Sequence, residues 1–133
     1  YNLFKYNKRV MNSFYNEIIR YFEAYSNKDK IIALTLREIF LNDLIYVSYT
    51  NKWQQYDIVR KEWSHFNIEK LILKLDKVCS FYENKLIKFV ETHSEFEPNQ
   101  LIIQIHDVIK YMKTGLKTSD FSKKCQEYFK ICS

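Results

Sequence analysis

A chain of 133 residues can bury one core of moderate size and is short for two. Its hydrophobic fraction of 47% and aromatic fraction of 17% exclude a disordered chain, which lacks the apolar surface to offset its ordering entropy. The net charge of +5 comes from 21 basic and 16 acidic residues with no basic run, which argues against nucleic acid as a partner.

One glycine and one proline leave few turn residues, so composition predicts long helices rather than hairpins. No apolar run approaches the ~18 residues of a membrane helix, and no membrane partner is expected. The chain begins at Tyr1. A cleaved secretion signal would account for that start and would place the protein in an oxidising compartment.

In chain order, Leu3, Val10, Phe14, Ile18, Tyr21, Phe22 and Tyr25 recur at helical spacing and predict an amphipathic helix over 3–26. Ser26 or Asn27 is available to cap a second helix. That helix is predicted to run from Ile31 to about Thr50, through a nearly apolar stretch that marks it as central. The segment NKWQQYDIVRKEW, 51–63, reads as its kinked continuation. Asn67 caps the next helix, on which Ile68, Leu71, Leu75, Val78, Tyr82, Leu86 and Phe89 form a stripe ending near HSEFEP at 93–98. Pro98 suits the first turn of a further helix reaching about Lys113, and Gly115 reads as its end. Thr118 or Ser119 caps the last. The fold class expected is all-α: a compact bundle of five or six antiparallel helices in one domain, 1–133.

Two stretches share a frame. FSKKCQEYFKIC (121–132) carries C-x2-Y-x3-C, and LDKVCSFYENKL (75–86) repeats it with Leu86 in the last position. Each has a large apolar residue four before the cysteine and a lysine two before it (Leu75 and Lys77; Phe121 and Lys123). On a helix Cys79, Tyr82 and Leu86 fall on one stripe, and Cys125, Tyr128 and Cys132 on another. Small apolar cysteines and amphipathic tyrosines also suit plain core positions.

The paired frames, in a lysine-rich and aromatic-rich helical chain, resemble the bicycle proteins of gall-forming aphids, a family named for two cysteine–tyrosine–cysteine motifs. The resemblance implies a salivary-gland secreted effector, not an enzyme, that binds a host-plant macromolecule and alters host development. By position it places the motifs on Cys79 and Tyr82, and on Cys125, Tyr128 and Cys132. Leu86 departs from the pattern and removes one cysteine of the set. If the two frame-bearing helices pack antiparallel, Cys79 faces Cys132 as a disulfide and Cys125 is left as a buried thiol on Leu86. Cys79–Cys125 is the alternative register. Two turns of helix hold Cys125 and Cys132 too far apart to bridge each other.

A second resemblance competes. LILKLDKVCSFYENK (71–85) is similar to the LxxxLxKVxxFYxxK stretch of SPX domains, which implies an intracellular inositol pyrophosphate sensor. The family's N-terminal helical hairpin is not recognisable here, and its phosphate-gripping lysine pairs are missing from QEYFK.

No catalytic residue, cofactor or metal site is expected. His65, His93 and His106 are scattered, and Glu91, Glu95 and Glu97 beside His93 suit a solvated helix end. A single glycine allows no glycine-rich phosphate loop. The 11 Tyr, 10 Phe and two Trp exceed what one small core holds, so an exposed aromatic patch is expected at Trp53, Tyr56 and Trp63. Such a patch would serve a host protein or self-association.

Overall fold

The structure, a computed structural model, describes residues 8–40, 43–93 and 98–131. Its elements in chain order are α1 (Lys8–Ala24), α2 (Lys28–Phe40), β1 (Leu44–Val47), β2 (Lys52–Asp57) and β3 (Glu62–His65). There follow α3 (Ile68–Leu73), α4 (Leu75–Thr92), α5 (Pro98–Thr114), α6 (Thr118–Phe129) and β4 (Lys130–Ile131). The all-α expectation is therefore wrong. Among the described residues the fold is mixed, with six helices and a four-stranded sheet ordered β3-β2-β1-β4. β1, β2 and β3 are antiparallel neighbours, and β4 joins β1 in parallel.

The error lies in three places, one of them Lys130–Ile131, which was expected on the last helix and pairs with β1 as β4. The apolar run from Ile31 does not continue as helix to Thr50: α2 stops at Phe40, and Leu44–Val47 is a strand. The segment read as a kinked continuation is the β2–β3 hairpin. Scarcity of glycine did not forbid hairpins, because Asn51 and Lys61 take the left-handed turn positions, each at φ 55°.

The helical ends follow local chemistry more closely. Phe14, Ile18 and Phe22 form the buried stripe of α1. Asn27 Oδ1 accepts the Lys30 N–H at 3.1 Å, capping α2, and Asn67 Oδ1 accepts those of Glu69 and Lys70 at 3.1 and 3.2 Å, capping α3. Pro98 opens α5. Lys117, rather than Thr118 or Ser119, holds the N-cap position of α6. The long helix expected from Asn67 is broken at Lys74, which separates α3 from α4.

α4 packs chiefly on α5, α5 reaches α1, and α1 lies on α2. α6 packs against α2 and α3 and touches β1. The helices bearing the two frames are thus not each other's main neighbours. Buried residues from the helices and from the inner sheet face (Leu44, Tyr46 and Trp53) belong to one cluster.

A polar tie joins three of these helices. Asp29, in the first turn of α2, is buried. It accepts the Tyr111 hydroxyl of α5 at 2.5 Å and Lys124 Nζ of α6 at 2.5 Å. Gly115 keeps the tyrosine in place, since a Cβ there would sit 2.8 Å from the Tyr111 ring. A second tie links Tyr21 of α1 to Glu38 of α2 at 2.6 Å.

Both hydroxyls resist ionisation. The hydrogen bond to Asp29, with burial and carboxylate charge behind it, pushes Tyr111 up to about 12, and burial followed by the Glu38 bond does the same for Tyr21. A phenol whose folded value is raised contributes stability that is whole below its unfolded value, near 10, and lost as pH rises toward 12. Lys124, raised by the same carboxylate, acts in the same direction. Urea unfolding should therefore show stability falling between about pH 10 and 12. The Y21F/Y111F double variant should start from lower stability at neutral pH and fall less steeply across that window.

Candidate binding surface

Strand alternation sorts the hairpin side chains between the two faces of the sheet. Trp53 pairs with Tyr46 across β1–β2, their ring centroids 5.3 Å apart, and meets Phe129 of α6 at 5.5 Å. This is the inner face. Trp53 is 6% exposed, so it belongs to the core and leaves the expected patch.

The outer face keeps the other two residues. Tyr56 and Trp63 are directly opposed on β2 and β3, with rings edge-to-face at 5.3 Å. Trp63 is 41% exposed and Tyr56 is half-buried beneath it. Gln54 and His65 form the neighbouring pair on the same face, with Ile45 of β1 beside Gln54. The Phe66 N–H donates to Trp53 O at 3.0 Å, so alternation turns the amides of Ser64 and Phe66 toward β2 and those of Trp63 and His65 toward the outer edge. Among the described residues β3 ends the sheet on that side, and all four of its residues are exposed.

Sequence reasoning missed the residues flanking this face. Ile58 and Val59, at the β2–β3 turn, are 80% and 87% exposed, and Tyr49 in the β1–β2 turn is also largely exposed. The only local turn signal was Asp57, whose Oδ1 accepts the N–H groups of Val59 and Arg60 at 2.9 and 3.1 Å. Without a glycine beside it, that signal did not stand out.

The cysteine–tyrosine frames lie elsewhere. Cys125 is a free thiol, fully buried, which removes the alternative Cys79–Cys125 bridge. Tyr128 is half-buried beside it on α6. Leu86 is buried on α4, lining an apolar cavity of about 40 Å³ with Phe14, Ile105 and Met112, rather than under Cys125. The side chains of Cys79 and Tyr82, and Cys132 altogether, lie outside the described residues, and with them the Cys79–Cys132 pairing. Among the described residues no disulfide is present.

Burial drives the Cys125 thiol well above its ordinary range, so it is held protonated and out of reach of solvent. His106 Nδ1 pairs with Glu83 at 2.8 Å, His93 Nδ1 lies 2.7 Å from Phe89 O, and His65 is exposed on β3. Glu95 and Glu97 lie outside the described residues. Among the described residues, no three His, Cys, Asp or Glu side chains converge as metal ligands. The lysines around the α2 N-terminus have partners within the chain. Lys124 holds Asp29, Lys30 lies 3.9 Å from the Tyr25 ring centroid, and Lys28 lies 5.7 Å from that of Tyr111.

The two tryptophans should separate cleanly in urea denaturation. Trp53→Ala opens a cavity in the core and should cost about 3–5 kcal/mol. Trp63→Ala forfeits chiefly its ring contact with Tyr56 and should cost no more than about 1.5 kcal/mol. Equal losses would contradict the assignment of the two faces.

Comparison with protein-family models, with curated proteins and with solved structures finds no match to this chain.

Proposed function

We propose that the protein is a non-enzymatic binding module that engages a macromolecular partner through the outer face and free edge of its β2–β3 hairpin. The observation that carries this reading is the Tyr56–Trp63 pair, an edge-to-face aromatic unit on the outer sheet face rather than in the core. Trp and Tyr concentrate binding energy where they are exposed on a rigid element, since few rotamers are lost on docking. The outward amides of Trp63 and His65 add main-chain hydrogen bonds for an extended segment of a partner. The buried thiol and separated histidines offer nothing comparable for catalysis.

The two cysteine–tyrosine frames extend the proposal to a secreted effector whose partner is a host-plant macromolecule. That extension rests on the frames alone.

The test is capture from plant tissue with the wild-type chain and with Trp63→Ser and Tyr56→Ser, followed by titration of the purified captured protein. The expected result is a partner bound by the wild type and weakened at least about tenfold by either variant, as loss of an anchoring aromatic gives. Equal binding by wild type and both variants would overturn the proposal. Melting temperatures alongside show that the variants remain folded.

A further inference from the structure

The two turns of the sheet are matched in geometry and opposed in chemistry. Each spans four residues, 48–51 and 58–61, and each closes on a residue at φ 55°, Asn51 and Lys61. The first turn follows its local rules. Asn51 tolerates left-handed backbone and accepts the Tyr46 hydroxyl at 2.9 Å, while the Thr50 hydroxyl donates to Val47 O at 3.4 Å. The second does not. It places β-branched Ile58 and Val59 in turn positions that disfavour them, and it puts a lysine where asparagine or glycine is favoured.

Nothing in the fold compensates. Ile58 and Val59 are the two most exposed large hydrophobic residues among those described. A local rule broken without a packing return marks a functional feature.

The order of chemistry along the hairpin indicates what it meets. At the tip stand Ile58 and Val59, followed by exposed Arg60 and Lys61, and then the Tyr56–Trp63 rings. An aliphatic tip with cations directly behind it matches the acyl boundary and the phosphates of a bilayer surface, and the rings one step further back lie within reach of the headgroup level that Trp and Tyr favour. The nearby carboxylates are turned aside. Asp57 is bonded to the turn amides, and it pairs with Glu62 on the face opposite Trp63. No described helix is long and apolar enough to cross a membrane, so the contact is peripheral.

We propose that the β2–β3 tip docks shallowly on a bilayer surface carrying anionic lipid. Ile58 and Val59 enter the boundary between headgroups and acyl chains, and Arg60 and Lys61 pair with lipid phosphates. The chain's net charge of +5 favours such a surface and opposes tip-to-tip docking of two copies, which would bring four cations together. Docking here depends on Ile58, Val59, Arg60 and Lys61 and only carries Trp63 to headgroup level, whereas the partner-binding reading depends on the rings themselves, so each can fail without the other.

The test is co-sedimentation of the full chain with phosphatidylcholine vesicles, with and without phosphatidylserine, read together with tryptophan emission. Trp53 is already buried, so any blue shift reports Trp63. The expected result is binding to phosphatidylserine vesicles with a blue shift, weakened by salt. The I58D/V59D double variant should bind at least about tenfold more weakly, and R60Q/K61Q should lose the preference for anionic lipid. Trp63→Ser should keep most of the vesicle binding while losing any protein partner. Absence of wild-type sedimentation, undiminished binding by I58D/V59D, or capture only by a protein or a second copy would overturn the proposal. All the changed residues are exposed, and unchanged circular dichroism confirms that the variants are folded.

Discussion

The structure hangs on the apolar stripe of α6. Phe121, Cys125 and Phe129 are spaced by one helical turn and are all buried, Cys125 completely. They pack α6 against α2 and α3, and Phe129 carries the contact onward to Trp53 on the inner sheet face. The chain then leaves the helix at Lys130 in extended backbone and pairs with β1 as β4. One element therefore joins the helices to the sheet twice, through side chains and through a strand. Lys124, on the exposed side of α6, adds the link to Asp29 that closes the same seam from α2.

That arrangement explains the two faces of the sheet. A short twisted sheet needs one apolar face covered to be stable, and α6 supplies the cover. With Trp53 and Tyr46 directed inward, strand alternation leaves Tyr56 and Trp63 directed outward. The outer face is thus a consequence of how the inner one is held, and its aromatic pair is free to serve something other than folding. The β2–β3 turn, which contributes nothing to the core, carries apolar residues on the same terms.

Much of the helical part was legible in the sequence because its signals are local. Asn27, Asn67, Pro98 and Gly115 mark ends by hydrogen-bonding capacity, fixed φ or close approach, and α1 shows its stripe at helical spacing. The sheet was not legible, for three physical reasons. Leu44–Val47 continues an apolar run from α2, and a buried strand has no periodicity to distinguish it from a buried helix. β2 mixes two glutamines with its aromatics, so alternation is blurred. The turn after it uses Lys61 where glycine would have announced a hairpin. Within the segment expected to carry an exposed patch, only face assignment separates Trp63 and Tyr56 from Trp53, and face assignment needs the register. The frames directed attention to Cys125 as a buried thiol, yet the buried stripe runs through Phe121 and Phe129 rather than Tyr128, because residues four apart share a helical face as readily as those three apart.

The central claim is that α6 and the sheet form one cooperative unit through Phe129 and Trp53. Hydrogen exchange on the wild type and on Phe129→Ala tests it most directly. The account predicts that the variant loses protection jointly at the amides of α6 and at the Tyr56 N–H, which is bonded to Asp43 O at 2.8 Å, while α4 and α5 stay protected. Loss confined to α6, with the sheet amides unchanged, would contradict it.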